Sequence, residues 1–235
     1  MIRFYNLDLQ NTSSANDYIV NFNVEGTVGE ILIDNCNISK TRGVVRVQSD
    51  GAKGSIGSIN IDNCVLTDIG SYGVLQTKVS GFTLNSVSLS NSTVNTLSAG
   101  GVLVTQQDNV HISIDACTFY NCVATGKSFI DINKMSNVTV DVKNTIIGQL
   151  YSYTAESTIK ATSVKGIATT TNLFTTTDCP YNSGYEWGEI LSVSSTELFV
   201  NPAEGDFHIQ SLAKAVLLVL VIHVGMNKTH FENVK

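Results

Sequence analysis

Ile31-Leu-Ile-Asp-Asn-Cys-Asn-Ile38 and Ile59-Asn-Ile-Asp-Asn-Cys-Val-Leu66 lie on one another residue by residue, and the match decides the fold. Looser copies stand at Phe82-Thr-Leu-Asn-Ser-Val-Ser-Leu89, Ile112-Ser-Ile-Asp-Ala-Cys-Thr-Phe119 and Val140-Asp-Val-Lys-Asn-Thr-Ile-Ile147. The chain opens on a sixth, Ile2-Arg-Phe-Tyr-Asn-Leu-Asp-Leu9. Anchored on Phe4, Ile33, Ile61, Leu84, Ile114 and Val142, the copies are spaced 29, 28, 23, 30 and 28 residues apart. A short alternating unit repeated at that period cannot bury its apolar face alone, so neighbouring units stack to share one core. The reading is an all-β solenoid of about six to seven coils.

Each copy reads apolar-x-apolar-x-Asn-small-x-apolar. Strict alternation would turn the fifth residue inward, yet it is Asn6, Asn35, Asn63 or Asn144, with Ser86 and Ala116 in the other two copies. The phase changes there, so the chain bends, and Asn tolerates the left-handed backbone of a tight corner. Stacked corners at strand spacing predict a ladder of side-chain amides about 4.8 Å apart. A second family of short strands lies between the copies, at Tyr18 to Phe22, Gly43 to Val47, Gly73 to Thr77, Gly101 to Thr105, Ser128 to Ile132 and Thr158 to Ala161. Variable loops absorb the differences in spacing. Gly and β-branched residues dominate and no long amphipathic stretch occurs, which argues against helices.

Charged residues make up 14% of the 235, and the polarity comes instead from Asn, Ser and Thr. A net charge of −6 with only 14 Lys and Arg argues against a nucleic-acid partner. Cys36, Cys64 and Cys117 fall at one position of three copies, where others have Leu7, Val87 and Thr145. That set predicts a small inward-facing slot filled by buried thiols. No CxxC pair or neighbouring His suggests a metal. Cys122 and Cys179 show no pairing logic, and the four histidines are scattered.

The Asn corners resemble the asparagine ladder of pectate-lyase-like, single-stranded right-handed parallel β-helices, over most of residues 1–175. The string Glu197-Leu-Phe-Val-Asn-Pro-Ala-Glu-Gly-Asp-Phe-His-Ile-Gln210 is similar to the closing segment of bacterial cell-surface β-helix proteins. It implies a cap near 197–210 over the open end, and a β-helix domain spanning 1–210. The whole resembles an uncharacterised β-helix family, a domain of unknown function, from gut Bacteroidetes surface proteins. That resemblance implies an extracellular or outer-membrane location. Met1-Ile-Arg-Phe enters the first copy without a signal peptide, so the expectation is a longer reading frame that carries the export signal upstream.

After Gln210 the composition shifts to the run Ala213-Lys-Ala-Val-Leu-Leu-Val-Leu-Val-Ile222, too short to span a bilayer. Read one base earlier with permitted codons, residues 222–228 become Asp-Pro-Arg-Trp-Asn-Glu and a stop. The expectation is a frameshifted tail over 211–235.

In pectate-lyase-like helices the polysaccharide cleft runs along the strand family that follows the loop after the Asn corner. By that resemblance the outward column is Asn21, Arg46, Gln76, Val104, Asp131 and Lys160. Arg46, Gln76, Asp131 and Lys160 are the candidate carbohydrate-binding residues. Asp131 and Lys160 on consecutive coils would suit cation binding and proton abstraction in β-elimination, or merely a cross-strand ion pair. A calcium-dependent lyase needs several acidic ligands together, and a glycoside hydrolase needs two facing carboxylates. Asp34, Asp62, Asp115 and Asp141 instead recur beside the corner. Tyr5, Tyr18, Tyr120 and Phe129 are read as outward aromatics that stack on sugars or shield the sheet. The functional expectation is a glycan-binding or scaffolding module, a monomer without cofactor. The alternative is a polysaccharide lyase or glycoside hydrolase acting on acidic pectin-like glycans, with Ca2+ in the lyase case.

Overall fold

Three stacks of parallel strands make up the molecule. The first contains Ile2–Tyr5, Gly26–Asp34, Gly54–Asp62, Phe82–Ser90, His111–Asp115, Thr139–Ile147 and Ala168–Thr175, each pairing with the next in parallel. The second contains Asp8–Gln10, Asn37–Ser39, Val65–Ile69, Thr93–Leu97 and Thr118–Cys122, and merges into Thr139–Ile147 through Ile146 and Ile147. The third contains Tyr18–Phe22, Gly43–Val47, Leu75–Thr77, Leu103–Thr105, Ser128–Asp131 and Lys160–Thr162. Chain order cycles through the stacks in turn, so the fold is a parallel β-solenoid of about six turns. The computed structural model describes residues 1–11, 17–23, 25–47, 53–132 and 136–210. The run after Gln210 and its frameshift reading lie outside the described residues, as do His223 and His230.

Stacking places like residues in columns. Ile31, Ile59, Val87, Ile112 and Val140 form one interior column, and Ile33, Ile61, Leu89, Ile114 and Val142 another. All ten are at most 1% exposed. Fully burying a side chain of this size contributes about 1.5–3 kcal/mol, which is why the register is fixed on this face.

The corners are left-handed, at Asn6 (φ 56°), Asn35 (52°), Asn63 (51°), Asn91 (48°), Ala116 (53°), Asn144 (48°) and Asn172 (51°). Two of these positions correct the sequence reading. The fourth corner is Asn91, not Ser86, so the copy in Phe82–Ser90 is anchored on Leu89 rather than Leu84. Ala168–Thr175 supplies a further rung with its own corner, Asn172.

The amide ladder forms with local detours. Asn35 donates to the Asn6 side-chain oxygen. Asn63 donates to Asn35 Oδ1 at 3.1 Å, and Asn172 to Asn144 Oδ1 at 3.0 Å. Asn91 instead donates to Asp62 Oδ1 at 2.8 Å, and Asn144 to Asp115 Oδ1 at 2.9 Å, across the coil whose corner is Ala116. The carboxylates beside the corner thus complete the ladder. Asp141 stands one outward column away, opposite Ser113.

The segment expected to close the open end lies on the flank instead. Leu191, Leu198 and Phe199 form a separate small core with Ile146 and Phe174. Phe207, on the hairpin of Phe199–Asn201 and Asp206–Ile209, sits 5.7 Å from the Tyr120 ring. Tyr120, Ile146 and Phe174 point out of the last coils, so their apolar faces hold this segment at the side. The end of the main core is met by Trp187, 5.8 Å from the Phe129 ring.

Candidate functional site on the third stack

The third stack alternates, so Val45 and Val47 are buried while Arg46 between them reaches outward. Cα pairing places Asn21, Arg46, Gln76, Val104 and Asp131 in one column. Lys160 does not continue it. It pairs with Ser128, and Thr162 with Ile130, so the residue next to Asp131 on the following coil is Ser163. The cause is the strand phase after the loop that precedes it, which a count along the sequence does not reveal. Asp131 and Lys160 therefore form no pair for β-elimination. Asp131 is met by Lys78 Nζ at 3.6 Å, with side chains 25% and 42% exposed. Exposed ion pairs of this kind contribute little to stability.

Arg46 is tightly held. Its Nη1 donates to Tyr18 Oη at 2.6 Å, and the guanidinium lies 3.9 Å from the centroid of the Tyr72 ring and 5.1 Å from that of Tyr18. Arg42 lies 4.6 Å from the same Tyr72 ring, and its Nη2 donates to Tyr72 Oη at 3.4 Å. The two tyrosines meet edge to face at 5.6 Å. Cation–π contact and the planar guanidinium orient both charges, and among the described residues the buried Arg46 Nε has no hydrogen-bond partner. Arg42 and Tyr72 escaped the sequence reading because both sit in turns outside the repeat. Gly43, which begins the strand carrying Arg46, is the one hint. A Cβ there would stand 2.9 Å from Tyr72 Cβ.

Lys160 joins a second group at the other end of the stack. Lys160 and Lys165 each place Nζ 5.0 Å from the centroid of the Tyr185 ring. Beside them a shallow crevice is lined by Thr162, Lys165, Tyr185, Glu186 and Trp187. The exposed Glu186 carboxyl is held below its ordinary value by backbone N–H donors, including that of Gly184 at 3.0 Å, and by Lys165.

The aromatic expectations divide. Tyr5 is 55% exposed and Tyr18 half-buried. Tyr120 is covered by Phe207. Phe129 points inward, 1% exposed and 4.7 Å from Phe119, because two successive residues turn into the core where the third-stack strand begins.

One buried carboxylate went unnoticed in the sequence. Asp178 accepts the Ser195 N–H at 3.1 Å and Ser195 Oγ at 3.0 Å, and takes the Thr176 hydroxyl at 2.5 Å. Ser195 Oγ in turn accepts the Gln149 N–H at 2.7 Å. This network fastens the flank segment to the last coil. Among the described residues no group of three or more His, Cys, Asp or Glu is arranged to hold a metal ion. Asp131 beside a lysine does not fit the acidic ligand set that calcium requires. Among the described residues no helix is long and apolar enough to cross a membrane.

Residues 112–215 match a family described as "Domain of unknown function (DUF5123)". Neither curated proteins nor solved structures gave a match to the chain.

Proposed function

We propose that this chain is a carbohydrate-associated β-solenoid module that holds a glycan along the outward face of its third stack and does not process it. The supporting observation is the Tyr18, Tyr72 and Arg46 group beside Gln76, where two tyrosine rings, one on a strand and one in the turn before the next, hold a guanidinium against the parallel sheet. Sugar rings pack on aromatic faces while their hydroxyls take hydrogen bonds from such groups. The resemblance to bacterial surface β-helix proteins supports a location outside the cell, and a monomer is the form expected to act. A lyase or hydrolase reading asks for converging carboxylates, and Asp131 is engaged by Lys78 on this face. The test is incubation of the protein with a panel of acidic and neutral polysaccharides, following unsaturated or reducing products together with retention on immobilised glycan. Retention without new products is the expected result. Product release, or no retention by any glycan, overturns the proposal.

A further inference from the structure

Ile2–Tyr5, Asp8–Gln10 and Tyr18–Phe22 are the outermost strands of the three stacks at one end of the solenoid. Among the described residues the first coil therefore presents a whole rung of unpaired strand edges. No proline stands on these strands to blunt them. The end repeat of a solenoid ordinarily turns a polar face outward. This one does not. Ile2, Phe4, Leu9 and Phe22 pack on the core yet are only partly buried, whereas Ile31, Ile33, Ile38 and Val47 behind them are at most 3% exposed. Leu7 is 40% exposed in the slot where Cys36 is 1%. The amide ladder adds a direction. Asn35, Asn63, Asn91, Asn144 and Asn172 each donate to a side-chain oxygen on the preceding coil. Asn6 accepts from Asn35, and its own Nδ2 has no acceptor among the described residues.

We infer that this rung is a docking edge for an extended polypeptide segment of the same repeat, apolar-x-apolar-x-Asn, added in parallel beside Ile2–Tyr5 by a partner chain. Its apolar residues lie over Ile2 and Phe4, and a side-chain oxygen at its corner accepts from Asn6 Nδ2. Strand addition to an open edge gains affinity from main-chain hydrogen bonds and specificity from alternate side chains. The contact between coils within the chain is the template, with parallel strands about 4.8 Å apart and like residues in columns. A second copy fits less well. Two first coils set face to face run their strands antiparallel and meet donor to donor at Asn6, and the far end of the core is met by Trp187.

The test is titration of the full chain with a synthetic peptide of residues 26–40 carrying Cys36→Ser, read by calorimetry and hydrogen exchange, with sedimentation of the chain alone. The peptide supplies Ile31 and Ile33 as the apolar pair and Asp34 and Asn35 as corner acceptors. Saturable binding is expected, with backbone amides of Ile2–Tyr5 protected about tenfold or more. The same peptide with Asp34→Ala and Asn35→Ala together should bind about three- to tenfold more weakly, and a scrambled one not at all. On the chain, Asn6→Gly keeps the left-handed corner, removes the amide and weakens binding by a similar factor. Phe4→Glu abolishes it. Both variants are checked for unchanged thermal unfolding. No binding of the designed peptide, equal binding of the scrambled one, or binding indifferent to Phe4→Glu overturns the inference. So does a dimer of the chain alone that Phe4→Glu disperses, because the second copy is then the occupant.

Discussion

Cys36, Cys64, Ser92, Cys117 and Thr145 follow the corner on successive coils and share a duty that hydropathy hides. The left-handed residue breaks the ladder, and this side chain repairs it. Cys64 Sγ donates to Asp62 O at 3.0 Å, Cys117 Sγ to Asp115 O at 3.2 Å, Ser92 Oγ to Ser90 O at 2.6 Å and Thr145 Oγ1 to Lys143 O at 2.7 Å. Ser92 Oγ also accepts the Cys64 N–H at 3.0 Å, and Thr145 Oγ1 that of Cys117 at 3.3 Å. In these five middle coils the slot holds a small side chain with a hydrogen on its heteroatom, whereas Leu7 and Leu173 follow the first and last corners. Ser92→Ala should destabilise by about 1–3 kcal/mol in urea unfolding, because a buried N–H and a carbonyl lose their partner. Ser92→Thr should cost less. Burial pushes the Cys64 thiol up to about 11 and that of Cys117 up to about 12 from an ordinary 9.0. Cys122 and Cys179 are pushed up further by the same cause. With folded values raised, the protonated thiols' contribution is complete below about pH 9 and is lost as pH rises through the folded values. Urea midpoints should therefore fall between about pH 9 and pH 11. A mild-pH alkylating reagent should label these five buried thiols only after unfolding. A flat alkaline profile, or rapid native labelling, would contradict this.

The first-stack strands before Asn6, Asn35, Asn63, Asn91 and Ala116 end at these corners, whereas Thr139–Ile147 and Ala168–Thr175 run through theirs. Ala116 adopts the same left-handed backbone as the Asn corners, with no side-chain amide and with a Cβ that this region disfavours. Ala116→Gly should stabilise the protein by about 1 kcal/mol, and Asn63→Ala should destabilise it by at least as much, read as shifts in denaturant midpoint. The opposite order would mean that the corners are not set by backbone conformation. The flank segment depends on Asp178 in a comparable way. Asp178→Ala removes the acceptor of the Ser195 N–H and hydroxyl and should expose the stretch from 176 to 210 to protease first, leaving the coils protected. Simultaneous loss of both would show that flank and coils unfold as one unit.

For the whole molecule, the solenoid was legible because period, phase change and corner chemistry agreed over several copies. The register slip in the fourth coil has a physical origin. Gly26–Asp34, Gly54–Asp62 and Phe82–Ser90 each change phase twice, first at Gly29, Gly57 and Asn85, then at the corner. Leu84-Asn85-Ser86 therefore imitates a corner, but the left-handed backbone is at Asn91. The site was only half legible for a related reason. Arg46, Gln76 and Asp131 follow from alternation along a strand. The position of Lys160 depends on the loop before it, and Arg42, Tyr72 and Tyr185 lie in turns with no repeat to mark them. Short strands held by neighbours above and below fix the interior, whereas the variable loops decide what the surface presents.

Disulfide trapping between the third and fourth coils tests the stacking most directly. Asn60 pairs with Ser88 on the outward face, whereas Thr83 pairs with Ser55. Asn60→Cys with Ser88→Cys should cross-link under mild oxidation in the folded protein, and Asn60→Cys with Thr83→Cys should not. Cross-linking of the second pair in place of the first would contradict the register on which the fold and its binding face depend.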